Sequence, residues 1–221
     1  MVKKFVFIIL TLVFLVFTGC SAKPIDNSNE LKAKDDKIVA LENKISDLER
    51  NLSGITSNKI YRVIEVIMLI KDKDMNTLSE YIHPTKGVRF SPYFFTDTNN
   101  DQVYTAEQIV GLMESTDIMD WGAYDGSGEP IELTFKEYYD KFVYDKDFAN
   151  PHVIGNNVPI GSGNTTDNTA KAYPTGYFIE LHFSGFDPQF QGIDWESLRL
   201  VFEDYNNTLY LVGVVHGQWT I

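Results

Sequence analysis

Two runs of alternating apolar residues, Leu198–Tyr205 and Leu209–Ile221, are separated by Asn206-Asn207, and few local patterns constrain a fold as tightly. Asparagine tolerates the positive φ angles that a two-residue hairpin turn requires, so the runs are expected to pair antiparallel. The turn sets the register: Glu203 opposite Tyr210, Val201 opposite Val212 and Ser197 opposite His216. A third run, Tyr177–Phe186, extends the sheet. Side chains alternate faces along a strand, so one face should collect Ile179, Leu181, Phe183, Leu198, Leu200, Phe202, Leu209, Leu211, Val215, Trp219 and Ile221. The other should collect Glu180, His182, Arg199, Glu203, Tyr210, His216 and Gln218, with Val201, Val212 and Val214. The apolar face must be covered, and the helices upstream are the candidates.

The chain starts with a targeting pattern. Lys3 and Lys4 precede Phe5–Phe17, which is apolar apart from Thr11 and, at thirteen residues, too short for the about 20 that span a bilayer. It ends in Thr18-Gly19-Cys20. This close resembles a bacterial lipobox, with Phe17 where the family usually has Leu. The resemblance implies that residues 1–19 are a signal peptide and that Cys20, acylated with palmitate-type chains, becomes the mature N-terminus on the outer face of the cell membrane. Cys20 is the only cysteine, so no disulfide holds the fold, and a lipidated Cys20 leaves no thiol for catalysis. The net charge of −12 falls to −14 once residues 1–19 are removed. Such a surface repels phosphate backbones and anionic lipids, so no nucleic-acid partner is expected and the bilayer is met through Cys20.

Residues 20–30 read as a flexible tether. Ile38, Leu41, Ile45, Leu48 and Leu52 then repeat at 3-4 spacing, with Leu31 one heptad earlier. Residues 31–53 are therefore expected to form a coiled-coil-like helix, self-associating through 31–52 or folded back on its own domain. Ser53-Gly54 marks the boundary of a globular domain, 54–221.

Within that domain Ile60, Val63, Ile64, Ile67 and Met68 predict a buried helix over 56–71. Asp74 is a helix cap, Gly87–Phe95 a strand, and Thr105/Gln108 and Thr134/Glu137 are capping boxes. The second box starts a helix carrying Phe135, Tyr138, Tyr139 and Phe142. Residues 150–175, rich in Gly, Asn, Thr and Pro, read as a long loop. The fold class is α+β, a curved antiparallel sheet wrapped on helices. This order resembles the cone-like fold of the nuclear-transport-factor-like superfamily, which implies a pocket at the open end. His83–Tyr93, Trp121–Asn150 and Phe186–Ile221 are similar to a family of uncharacterised lipoproteins from Gram-positive bacteria, a resemblance that implies a compartment and no activity.

The residues offer few chemical motifs. The four histidines, His83, His152, His182 and His216, form no metal-ligand spacing, and neither metal nor cofactor is expected. Asp97, Asn99 and Asp101 alternate like calcium-loop ligands, but Gln102 and Gln108 stand where such a loop needs Gly and Glu. His182 and His216 with Glu180, Arg199 and Glu203 can be an acid–base cluster or a solvated sheet face. Gly213 and Gly217, beside Leu211 and Trp219, leave room on the apolar face for a ligand or for an aromatic ring. The reading that follows is a non-enzymatic, membrane-anchored module binding a small ligand or a protein. An extracytoplasmic enzyme and an oligomeric spacer are the alternatives.

Overall fold

A computed structural model describes residues 28–220, without the side chains of 28–31 and 49–58. The leader, Cys20, most of the tether and Ile221 lie outside the described residues. Contacts divide the chain into two compact units between Leu52 and Ser53. Helix α1, Ser28–Asp72, begins inside the stretch read as a tether and continues through Ser53-Gly54. One glycine costs a helix only about 1 kcal/mol relative to Ala, too little to end so long a segment. In the first unit Ile38, Leu41, Ile45 and Leu48 are each more than half exposed. No described helix is long and apolar enough to cross a membrane.

In the second unit α1 buries Val63, Val66, Ile67 and Ile70, while Ile60, Ile64 and Met68 stay half exposed. The segment is apolar on more than one side, and periodicity alone does not choose which side meets the core. Short α2, Met75–Leu78, follows, with the Asp74 carboxylate accepting from Thr77 N–H at 3.0 Å. Strands β1, Val88–Ser91, and β2, Val103–Tyr104, flank a turn that leads to α3, Ala106–Ile109. The Thr105/Gln108 box caps α3. Strands β3, Met119–Ala123, and β4, Pro130–Leu133, pair as a separate ribbon. The Thr134/Glu137 box opens α4, Phe135–Phe142, whose four aromatic rings are all buried.

The main sheet has six strands in the order β2-β1-β8-β7-β6-β5, curved and unclosed. It adds β5, Val153–Asn156, β6, Tyr177–Phe183, β7, Glu196–Tyr205, and β8, Thr208–Gln218. The pairing is antiparallel throughout except that β1 runs parallel to β8. Strand β5 lies in the stretch read as a loop: four residues around Gly155, mostly exposed, carry no alternation to reveal a strand. Short α5, Thr169–Ala172, lies there too.

The hairpin forms as its turn dictates, Asn206 and Asn207 having φ of 53 and 62. Glu203 faces Tyr210 and Phe202 faces Leu211, but then the register slips. Val201 pairs with Gly213, leaving Val212 as the extra residue of a β-bulge. Beyond it every β8 side chain sits on the face opposite to the one the plain alternation assigns. Val214 joins the inner core with Leu198, Leu200 and the α4 rings, and Val215 joins an outer cluster of Phe94, Phe178, Trp195, Val201 and Val212. His216 is fully buried on the inner face, not solvated. Gly213 and Gly217 turn outward, away from Leu211, which remains in the inner core. Trp219, expected in the core, is 39% exposed.

Candidate functional site

The outer sheet face, one reading of which was a solvated surface, is covered. Residues 157–173 lie over it, and Glu180, His182, Arg199 and Glu203 are all buried. A Cβ on Gly213 would come within 2.6 Å of Tyr173 Oη, and one on Gly217 would collide with the Phe94 ring. The room those glycines leave is taken by the aromatic rings of Tyr173 and Phe94.

Buried charge needs partners, and Glu180 has four. Its Oε1 accepts from Gly161 N–H and Ser197 Oγ–H, each at 2.7 Å; its Oε2 accepts from Ile160 N–H and Arg199 Nε–H, each at 2.9 Å. Arg199 also donates from Nη1 to Asp167 at 2.6 Å and to Thr169 Oγ1 at 2.9 Å, and its guanidinium lies 3.7 Å over the Phe94 ring. Burial pushes the Asp167 carboxyl up, but the Thr169 N–H and the Arg199 charge outweigh it and hold the group below its ordinary range.

His182 Nδ1 lies 2.8 Å from Ser197 Oγ, and burial lowers its basicity. Ser197 already gives its proton to Glu180, so His182 must donate to Ser197. The serine therefore stands between imidazole and carboxylate. A nucleophilic triad needs the imidazole in the middle to take the serine proton. Ser197 is also fully buried, and this chain serves to hold the cover on the sheet.

His216 stands apart from that network, on the inner face, so His182 and His216 do not form one acid–base cluster. Glu203 is separate again, paired with Lys86 at the hairpin end of β7. Asp97 and Asp101 cap backbone and side-chain groups of their own turn, Asp101 Oδ2 accepting from Ser91 Oγ–H at 2.5 Å and Asp97 N–H at 2.9 Å.

On the inner face, Asp145, just past α4, meets Glu196 at the start of β7 and His216 on β8. Asp145 Oδ1 lies 3.5 Å from His216 Nε2. Lys146 Nζ is 3.1 Å from Asp145 Oδ2 and 2.9 Å from Glu196 Oε2. Burial and the adjoining Asp145 raise the Glu196 carboxyl. Burial acts on Asp145 the same way, but its close approach to His216 and Glu196 and the Lys146 charge beside it prevail and hold the carboxyl well below its ordinary range. Asp145 and Glu196 are absent from the sequence-based candidates. Glu196 was legible, since it shares the parity of Leu198 and Leu200 and so must point inward.

Beside the Glu180–Arg199 network, the segment over the sheet leaves an open cleft of ≈ 500 Å³. Phe95 and Phe178 supply apolar wall; Asp167, Thr169, Lys171 and Arg199 supply polar groups. Comparison with family models, curated proteins and solved structures found no match for the chain.

Replacing Glu180 by Ala leaves Asp167 to balance the Arg199 charge and deprives two backbone N–H groups and Ser197 of their acceptor, and should cost about 3–5 kcal/mol in urea unfolding. A loss below about 1 kcal/mol would mean that the carboxylate does not hold the cover in place.

Proposed function

We propose that the chain is an extracytoplasmic lipoprotein whose domain binds a small ligand in the cleft beside Arg199. The observation that carries the binding reading is the composition of that cleft, where apolar rings line the same space as Lys171 and as Asp167 and Thr169, the last two held in position by a buried guanidinium. Concave sites of mixed apolar and directed polar lining suit small polar molecules with one apolar side. The α+β order and curved sheet fit the nuclear-transport-factor-like resemblance, with the ligand on the covered outer face and not in the cone.

A thermal-shift panel of amino acids, dipeptides and mono- and disaccharides tests it. At least one compound should raise the wild-type melting temperature, and the combined Phe95→Ser, Lys171→Glu variant, altered at exposed side chains, should lose that response. Absence of any shift, or a shift kept by the variant, counts against the cleft.

The exposed seam of Ile38, Leu41, Ile45 and Leu48 favours a second element of the reading, a stalk that pairs with another copy. Together with lipidation at Cys20, it would hold the domains in clusters above the bilayer. A chain beginning at residue 30 should sediment as a larger species than one beginning at residue 55, and Cys20→Ala should move the full chain out of the detergent phase. Two monomers in the micromolar range would remove the stalk. Unchanged partitioning of a processed Cys20→Ala chain would remove the anchor.

A further inference from the structure

We propose that Asp145, Glu196 and His216 form a binding site for a divalent first-row cation, Zn²⁺ or Mn²⁺. The site is independent of the cleft and lies on the other face of the sheet.

The strongest pointer is the histidine. His216 is fully buried in the interior, its ring packed edge-on against Phe142 with centroids 5.6 Å apart. Its Nδ1 lies 3.3 Å from the Pro92 carbonyl oxygen, which can only accept, so Nδ1 carries the proton. In the neutral ring Nε2 then presents a lone pair, and that lone pair is aimed at Asp145. Among the described residues Nε2 finds no hydrogen-bond partner, and neither do the buried oxygens Asp145 Oδ1 and Glu196 Oε2. One ligand atom from each of the three residues lies within 4.8 Å of the others. A lone pair and two carboxyl groups converging in the interior crowd acceptor atoms together, an arrangement that positive charge between them stabilises.

Lys146 supplies part of that charge and leaves the rest unmet. Its ammonium hydrogen-bonds Asp145 Oδ2, and it contacts Glu196 Oε2 outside hydrogen-bond geometry. Asp145 Oδ1 and His216 Nε2 remain unbonded behind it. A cation at the centre would meet all three. Bonds of about 2.0–2.2 Å require ligand atoms about 3–4 Å apart, a contraction that rotation of the partly exposed Asp145 and Glu196 side chains can provide. One imidazole with two carboxylates is a donor set suited to Zn²⁺ or Mn²⁺ and poor for soft ions. A backbone carbonyl fixing the tautomer of a liganding imidazole is the usual outer partner of such sites. Entry is over Lys146, whose side chain is 32% exposed and can swing aside.

The test is calorimetric titration of the metal-stripped full chain, in detergent micelles, with ZnCl₂ and separately with MnCl₂. One equivalent of at least one ion should bind in the micromolar range or tighter. Glu196→Gln conserves shape at a partly exposed position, so it should fold, and it should weaken binding at least about 10-fold. Lys146→Met removes the competing ammonium and should tighten it. Failure of both ions to bind the wild type would overturn the proposal. So would Glu196→Gln binding as tightly as wild type, since the ion would then lie elsewhere.

Discussion

One extra residue in β8, Val212, decides where the chemistry of this domain is placed. The strand begins in the register its Asn206-Asn207 turn imposes and leaves the bulge with its faces exchanged. His216 is thereby carried inward to Phe142, Asp145 and Glu196. Gly213 and Gly217 are carried outward, where they accommodate Tyr173 and Phe94. Without the bulge an imidazole would press on the outer aromatic cluster, and Val215 would replace it in the core. A bulge is well tolerated here because Gly213, which shares the position opposite Val201, has no side chain to accommodate.

Strands β6 to β8 are largely buried on both faces although one face carries so many charged residues. Outside, Glu180 meets two backbone N–H groups of the covering segment and the Arg199 guanidinium, so the cover is fastened by the charge it buries. Removing Glu180 would leave buried donors from both the sheet and the cover without their shared acceptor, which couples the two. Inside, His216 Nε2, Asp145 Oδ1 and Glu196 Oε2 converge without hydrogen-bond partners among the described residues, the arrangement on which the proposed cation site rests.

Much of the architecture was legible in local chemistry. The Asn206-Asn207 turn, the Asp74 cap and both capping boxes lie where their side chains demand, because each is decided within a few residues. What could not be read depends on distant partners. The bulge is set by what packs on β8 from Phe94 and Tyr173, more than thirty residues away in sequence. Strand β5 exists because β6 offers it an edge, not because Val153–Asn156 alternates. The burial of Glu180 and Arg199 follows from the segment laid over them, whose Gly and Asn content reads as a loop. Of the candidate residues, Glu180, His182 and Arg199 lie together, whereas His216 lies with Asp145 and Glu196, which no local pattern ties to it.

The phase of β8 can be read directly from proton–proton contacts of one ring. In nuclear Overhauser spectra of the folded chain, the His216 ring protons should show cross-peaks to the ring of Phe142 and to the Leu198 methyl groups. Cross-peaks from that ring to Arg199, Trp195 or Phe94 instead would place His216 on the outer face, and the bulge, the inner cluster and the assignment of its ligands would be wrong together.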